Sequence, residues 1–203
     1  MDRWTYGQGD SYIPPQTLFA GGIISILCIA EARWNEAVQT RLASGYTIIY
    51  SGHMEKNAAH AEGVAIIISK EAQRTLIGWE PVIARIITAK FKTSHKCIAL
   101  NIIQCNAPTN DADEEVKEEF YQILEETTRK CSEKDITILL GDMNVKVGNE
   151  NTGHEQVMGK HGLGTMNENG ELFANCCANY NLVIGGTIFP HKNVISPHGY
   201  LQT

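Results

Sequence analysis

Several polar residues follow apolar runs of the sequence, where the end of a strand could present them to a substrate. Glu31, Asn106 and Asp142 each stand directly after such a run or within two residues of its end. In a layered sheet, strands that end at one rim form the floor of a cleft, so their polar groups can converge. Asn144 lies two residues beyond Asp142, and both side chains would point to one side if extended geometry continued.

Hydrolysis of a phosphodiester would suit this set of residue types. A hard cation such as Mg²⁺ neutralises and polarises the phosphate, takes oxygen ligands and keeps several waters, so one or two carboxylates are enough to hold it. Glu31 and Asp142 are therefore the predicted metal ligands. An amide that donates to the developing oxyanion, or that orients the attacking water, would help further, and Asn144 is the candidate for that role.

Each of these residues also has a simpler interpretation. A lone Glu such as Glu31 after an apolar run is more often a solvated strand end. The sequence Gly-Asp-Met-Asn around Asp142 is more often a turn in which Asp and Asn bond to local backbone. Asn106, which precedes Ala-Pro-Thr, is typical of a turn. The chemistry therefore depends on whether the fold brings these positions together.

The hydrophobic pattern predicts the elements that would position them. Strands are predicted at Ile23–Ala30, Tyr46–Tyr50, Gly63–Ser69, Ile83–Phe91, Cys97–Cys105, Ile136–Leu140 and Leu182–Ile188,. The first and the sixth are continuous apolar runs, the pattern of strands buried on both faces. Helices are predicted at Glu31–Ala43, Asp111–Cys131 and Glu171–Tyr180, with Asn110 as the N-cap of the second,. A long Gly- and Asn-rich loop spans Asn144–Asn169.

This pattern predicts an α/β (α+β) fold. The strands come in antiparallel pairs with helices between them, rather than in regular βαβ alternation. We expect a layered α/β sandwich of mixed, mostly antiparallel sheets flanked by helices. Residues 1–22 show no clear period and are predicted to be an irregular leader, followed by one domain over residues 23–203.

Charge and cysteine usage restrict the partners and the compartment. The formal net charge is −6, and a local excess of acids over bases between Asp111 and Asp135 accounts for it, which leaves the rest of the chain neutral. This balance weakens a claim of DNA binding without excluding it. The apolar stretch Thr17–Ala30 is interpreted as a buried strand rather than a signal peptide. The six cysteines include no Cys-x-x-Cys pair, so we predict an intracellular protein, nuclear or cytoplasmic, without a membrane partner.

Several short motifs occur together and in a fixed order. They are Glu31-Ala-Arg33-Trp34, Tyr50-Ser-Gly52, Gln104-Cys-Asn-Ala-Pro-Thr109, Leu140-Gly-Asp-Met-Asn144, Asn167-Glu-Asn-Gly170 and Val183-Ile-Gly-Gly186. As an ordered set over about residues 23 to 200, they resemble the endonuclease domain of RTE/BovB-type non-LTR retrotransposons. That domain belongs to the endonuclease/exonuclease/phosphatase superfamily.

The resemblance implies roles for individual residues. The acid of the Glu-x-Arg-Trp motif binds the divalent metal, and it matches Glu31. The Gly-Asp-x-Asn motif supplies a general-base or water-orienting Asp and a transition-state Asn, which match Asp142 and Asn144. The implied cofactor is Mg²⁺ or Mn²⁺, and the implied partner is DNA.

The sequence also departs from the family pattern. Where the family has a Tyr that contacts the phosphate, this chain has Asn106, which lacks a phenol and reaches less far. No Asn of a Trp-Asn-Val type precedes residue 23. The family's Ser-Pro-Asp-Gly is Ser196-Pro-His198-Gly199 here, and its later Asp and Ser-Asp-His have no counterpart before Thr203. The resemblance therefore implies a truncated domain, incomplete at both ends.

Three functional hypotheses stay open at this point. The first is a divalent-metal-dependent DNA endonuclease, weakened or inactive because an acid–base group is lost. The second is a non-catalytic module that binds nucleic acid or protein. The third is a phosphatase or deadenylase of the same superfamily, which the motif details favour less than the retrotransposon branch.

Overall fold

The computed structural model describes residues 25–53 and 62–190, and it falls into two compact units. The first unit comprises the chain up to Asn106 together with Ser132–Asp142, and the second comprises Ala107–Cys131 and the chain from Met143 onward. The predicted leader at residues 1–22 lies outside the described residues, so that leader and the single domain after it stay predictions.

The first unit opens with a four-stranded antiparallel sheet. Its strands are β1 (Ile26–Ile29), β2 (Ala37–Arg41), β3 (Thr47–Ser51) and β4 (Val64–Ile68), in the order β1-β4-β3-β2. All five residues of β4 are buried, as its β-branched sequence predicts,. The strands predicted at Tyr46–Tyr50 and Gly63–Ser69 are confirmed within one residue at each end.

A second four-stranded sheet completes this unit after a short helix, α1 (Lys70–Gln73). Its strands are β5 (Leu76–Ile83), β6 (Ile86–Lys92), β7 (Ala99–Asn106) and β8 (Ile136–Asp142), in chain order across the sheet. The pairs β5–β6 and β6–β7 are antiparallel, and β7–β8 is parallel. The predicted mixed, mostly antiparallel architecture is therefore confirmed. The hairpin expected between residues 83 and 105 is present as β6 and β7.

Two apolar clusters hold the first unit together. One lies between the sheets and contains Ile49 and Ile66 from the first sheet and Ile87, Phe91 and Ile102 from the second. The other covers the opposite face of the first sheet, where Trp34 packs with Ile48, Ala65 and Ile67. The rings of Trp34 and Tyr50 meet edge to face with centroids 5.0 Å apart, a favoured aromatic geometry. The segment between β1 and β2 is thus anchored to the sheet by its Trp.

The helix predicted at Glu31–Ala43 is wrong. Glu31, Arg33 and Glu36 all have positive φ angles, of 52°, 55° and 72°, which no continuous α-helix permits. Residues 37–41 instead form β2 and pair with β3, where β-branched side chains at positions 38 and 40 suit a pleated surface.

Both strands that were predicted to be buried on two faces are edge strands. Among the described residues β1 pairs only with β4, and its four residues are half-buried. Similarly, β8 pairs only with β7, and Ile136, Ile138 and Leu140 are exposed by 53%, 40% and 39%. Continuous apolar sequence indicates a strand that could be covered on both faces, but it does not report whether a neighbour is present.

The second unit contains two helices, α2 (Glu114–Arg129) and α3 (Glu168–Asn179). The helix predicted at Asp111–Cys131 is confirmed with shorter bounds, and its N-cap is Asp113 rather than Asn110. Phe120 and Leu124 are buried on it, as their spacing predicts, whereas Val116 is exposed.

The ends of the second unit differ from prediction in detail. Helix α3 begins three residues before the predicted start because Asn167 caps it, accepting a bond from Gly170 N at 2.8 Å,. The strand predicted at Leu182–Ile188 is wrong, since that stretch contains one bridge, between Met158 and Ile184, and a short 3₁₀ helix at Gly185–Thr187. Across residues 25–53 and 62–190, no helix is long and apolar enough to cross a bilayer.

Candidate active site

Glu31 lies in the loop that follows β1, and its backbone is in the left-handed region with φ of 52°. A non-glycine residue with a side chain of this size rarely adopts that conformation, which is sparsely populated except where surrounding structure imposes it. The carboxylate is exposed and lies 3.7 Å from the guanidinium of Arg33, with both side chains about 60% exposed. An ion pair this open contributes little and can be exchanged for another partner.

Close backbone contacts fix the loop that carries Glu31. Ala32 N donates to Gly63 O at 2.8 Å, at the start of β4. A Cβ added to Gly63 would lie 3.0 Å from Arg33 N, and one added to Gly52 would lie 1.6 Å from Trp34 O. Glycine at both positions lets the loop approach the sheet, which explains the glycine of the Tyr-Ser-Gly motif in physical terms.

Asn106 and Asp142 form the last pair of the parallel ladder between β7 and β8. Adjacent strands lie about 4.8 Å apart, so these two residues are direct neighbours at the carboxyl end of the sheet. Asp142 is exposed, whereas Asn106 is only 4% exposed. The interpretation of Asn106 as a turn residue is therefore wrong, because it is the buried last residue of a strand.

A half-buried ionic cluster, which sequence reasoning missed, adjoins Asn106. Arg85 Nη1 donates to Asn106 O at 3.1 Å, and Asn106 N donates to Arg85 O at 2.9 Å. Arg85 Nη2 also donates to Glu62 Oε1 at 2.6 Å, and Glu62 Oε2 lies 3.2 Å from His53 Nε2. The Arg85 and Glu62 side chains are 23% and 21% exposed. A single Arg inside the apolar stretch 82–89 was the available signal, since a charged side chain there needs a partner.

These contacts connect the predicted residues of the first unit. The Glu31 loop bonds to Gly63, the adjacent Glu62 bonds to Arg85, and Arg85 bonds to Asn106, which lies opposite Asp142. The carboxyl ends of β1, β7 and β8 therefore lie at the same end of the two-sheet sandwich. Glu31, Asn106 and Asp142 share that end, as the sequence interpretation required.

Asn144 belongs to the second unit and has its own set of contacts. Its φ is 49°, so the extended geometry that would have aligned its side chain with that of Asp142 does not continue past Asp142. Asn144 Nδ2 donates to Ala107 O at 2.8 Å, and Asn144 O accepts from Asn169 Nδ2 at 3.3 Å. Within this unit, the side chain of Asn144 is thus held by the Ala107 carbonyl, and its backbone carbonyl is held by Asn169.

The described side chains could supply only a few ligands to a metal ion. Across the described residues, no group of three or more His, Cys, Asp or Glu side chains is arranged to hold a metal ion. Glu31 and Asp142 are exposed carboxylates at one end of the sandwich. One or two carboxylates completed by water are the usual protein contribution to a Mg²⁺ site, so this set suits magnesium and not a closed zinc cage.

No protein-family model matches the sequence. The sequence is 32% identical over 166 residues to craniofacial development protein 2 from Tragulus javanicus, and 31% identical over 166 residues to the Bos taurus protein of that name. The match covers 82% of this chain in both cases, but 28% and 27% of those relatives. The chain therefore spans little more than a quarter of the length of either relative.

The fold is similar to that of the AP endonuclease LMAP from Leishmania major, with a TM-score of 0.54 and 10% identity. The two relatives and this fold together support the endonuclease/exonuclease/phosphatase superfamily recognised from the motifs. The similarity covers 86% of this chain and 64% of the Leishmania protein. The predicted α+β fold is therefore confirmed, and the predicted link to retrotransposons stays a prediction.

Proposed function

We propose that this chain is a divalent-metal-dependent phosphodiester hydrolase domain that nicks DNA, derived from a retrotransposon endonuclease and weakened in activity. The observation that carries the proposal is the common position of Glu31 and Asp142 at one end of the sandwich, linked through Gly63, Arg85 and Asn106. One or two carboxylates completed by water are enough to hold Mg²⁺, so two distant acids at one rim could hold the ion that such a site requires. A nuclear or cytoplasmic location, where DNA is accessible, is part of the proposal.

The conformation of Glu31 supports a functional role for it. A left-handed Glu costs on the order of 1–3 kcal/mol, and such strain concentrates at binding and catalytic sites. Among the described residues, its ion-pair partner is the exposed Arg33 at 3.7 Å, which a cation could displace. Glu31 and Asp142 would hold Mg²⁺ or Mn²⁺ together with water. The ion, when bound, would neutralise phosphate charge and lower the pKa of attacking water.

Asn106 supports the weakened character of the domain. Its side chain is short and the residue is 4% exposed, whereas a family Tyr at this position contacts the phosphate. Losing one group that stabilises the transition state costs about 10²–10³ in rate. We therefore propose slow turnover, with Asp142 as general base or water-orienting group and Asn144 as the donor to the reacting phosphate.

Nicking of supercoiled plasmid tests the proposal. Wild-type chain is incubated with Mg²⁺, with Mn²⁺, or with EDTA, and open-circle product is quantified over time. We expect slow nicking with either metal and none with EDTA. Glu31→Gln and Asp142→Asn should each lower the rate about 10²-fold or more.

Two matched controls make this test specific. Glu36→Gln makes the same change at another exposed, left-handed Glu at the start of β2, on the far edge of the first sheet. Asp111→Asn makes the corresponding change at an exposed Asp of the second unit. Both should nick as the wild type does. Equal rates in Glu31→Gln, Asp142→Asn and wild type, or nicking in EDTA, would refute the proposed site. Turnover of a small phosphoester without nicking would refute DNA as substrate.

A non-catalytic binding module is the second candidate function. The specific observation in its favour is the burial of Asn106, which withholds that amide from a substrate at the rim. This candidate predicts retention of a labelled DNA duplex, or of a protein partner, with no product and with equal affinity in Mg²⁺ and EDTA. An affinity that falls with chelator would count against it.

A further inference from the structure

Asn169 is a fully buried amide in the second residue of α3, with 0% exposure. Its Nδ2 donates to Pro108 O at 2.9 Å and to Asn144 O at 3.3 Å. Because both neighbours are carbonyl oxygens, the NH₂ group must face them, so the orientation of the amide is set by its surroundings. The backbone carbonyl of Asn169 in turn accepts from Tyr121 Oη at 3.1 Å.

These bonds join two separate stretches of the chain around Asn144. One runs from Asn144 Nδ2 to Ala107 O at 2.8 Å, and the other from Asn169 Nδ2 to Asn144 O. Asn144 is therefore held at its side chain and at its backbone, while its φ of 49° lies in the left-handed region. A strained residue keeps such a conformation only where its contacts over-determine it.

The side-chain oxygen of Asn169, unlike its NH₂ group, contributes no hydrogen bond to the described structure. Asn169 Oδ1 is buried and has no hydrogen-bond partner among the described residues. An unsatisfied buried acceptor costs about 1–3 kcal/mol, which offsets part of the stability that the two donor bonds contribute. What the position gains from Asn is two N–H donors on one atom, which Leu lacks and Asp would replace with an oxygen.

We propose that Asn169 is a positioning residue, which fixes the conformation of Asn144 for phosphodiester hydrolysis without touching the substrate. This inference rests on the proposed function, in which Asn144 donates to the reacting phosphate. Asn169 acts through Asn144 by donating to its carbonyl, and it ties the same helix end to Pro108. The motif Asn-Glu-Asn-Gly thereby acquires two distinct roles: Asn167 caps α3, and Asn169 positions Asn144.

The first experiment compares Asn169→Asp with Asn167→Asp in plasmid nicking. Asn169→Asp keeps the side-chain shape but removes both donors, so we expect kcat to fall at least about tenfold with KM within about threefold of wild type. Asn167→Asp is the matched control. Among the described residues the Asn167 side chain accepts from Gly170 N and Lys146 N and donates to no group, and a carboxylate can accept both bonds. We expect that variant to behave as the wild type does.

A double-variant comparison separates positioning from a general structural role. In the Asn144→Ala background, Asn169→Asp should cause little further loss of kcat, because the group through which it acts is gone. Additive losses in the double variant, or equal losses in Asn167→Asp and Asn169→Asp, would overturn the inference.

A milder variant and a spectroscopic readout keep the inference testable if the buried carboxylate prevents folding. Tyr121→Phe removes the bond to Asn169 O without adding charge. The side-chain amide signal of Asn144 in a ¹H–¹⁵N spectrum, assigned by its loss in Asn144→Ala, should shift or broaden in Tyr121→Phe and in any folded Asn169→Asp. An unchanged Asn144 signal would overturn the inference. Absence of nicking by wild type, with the Asn144 signal still responding, would reject the proposed function and retain the contact between Asn169 and Asn144.

Discussion

The α-carbon of Gly141 lies against the backbone of Cys105, so that an added Cβ would be 1.9 Å from Cys105 O. Gly141 also has φ of 135°, a region that side chains almost never occupy. The glycine of the Gly-Asp motif is therefore required by the pairing of β7 with β8, which places Asp142 opposite Asn106.

Replacing this glycine should disrupt the end of the second sheet. Gly141→Ala is expected to lower the free energy of unfolding by about 2 kcal/mol or more, from backbone strain and the clash with Cys105. Chemical denaturation followed by tryptophan fluorescence measures it. Gly78→Ala is the control, because nothing lies within 4 Å of a Cβ built on Gly78. Similar losses in both variants would contradict the close contact.

Acid should remove the contribution of Asp135 to stability. Its side chain is 7% exposed, and the hydrogen bond from Lys90 Nζ at 2.8 Å, followed by that from Ala99 N, holds the pKa of Asp135 below its ordinary value. A carboxyl whose pKa is lowered by folding stabilises the native state above its unfolded pKa, and that stabilisation is lost as pH falls through the folded pKa.

The corresponding measurement compares wild type with Asp135→Asn by denaturation at several pH values. We expect the variant to be less stable near pH 7, and the gap to close below about pH 4, the ordinary range of Asp. Glu133→Gln, two residues away and exposed, should track the wild type at every pH. If the difference in unfolding free energy between wild type and Asp135→Asn persisted unchanged in acid, the charge of the Asp135 carboxylate would not contribute to stability.

Lys should not be able to replace Arg85 in its ionic cluster without a loss of stability. Arg85 uses two different nitrogens, one for Glu62 and one for Asn106 O, whereas Lys offers a single point of charge. Arg85→Lys is therefore expected to cost roughly 1–2 kcal/mol of unfolding free energy. Glu62→Gln should cost less, since an amide oxygen can still accept. A double-variant cycle with both changes should show coupling, and strict additivity would argue against the contact.

The exposed apolar row of β8 should promote self-association. Ile138 is 40% exposed on an edge strand, and an apolar edge is a template for pairing between chains. Ile138→Thr is expected to reduce scattering by concentrated protein, at a stability cost of about 1 kcal/mol or less. Ile102→Thr is the matched control, since Ile102 pairs with Ile138 but is 3% exposed. This variant should destabilise the protein without reducing the scattering. Unchanged scattering in Ile138→Thr would exclude this row as the contact.

The sequence was informative where local pattern decides structure. The β-branched run of β4 and the spacing of Phe120 and Leu124 on α2 identified their elements, because burial of one face follows from periodicity. The loop at Glu31–Glu36 was misinterpreted as helix, since its conformation depends on Gly52 and Gly63, which are distant in sequence. Strand β5 was missed because Gly78 and Pro81 interrupt its pattern and because none of its residues is fully buried,.

The candidate site was predicted in part. The positions of Glu31, Asn106 and Asp142 at strand ends followed from where apolar runs stop. The contact of Asn106 with Arg85, and that of Arg85 with Glu62, did not, because these residues adjoin different strands and are far apart in sequence. Likewise, the bond from Asn169 to Asn144 spans residues that no short motif joins.

The parallel pairing of β7 with β8 also bears on how the chain is made. Residues 107–131 belong to the other unit, so the first unit cannot acquire its last strand until the ribosome has released residues 132–142. Until then β7 is an edge strand of the nascent chain, without its β8 neighbour. It contains Ile103 and Cys105, which are buried in the folded unit. Pairing between strands that are this far apart in the sequence is slow, and it leaves the edge of β7 available to incorrect partners. Chaperone demand during synthesis is therefore expected to peak in the interval between completion of Asn106 and emergence of Asp142.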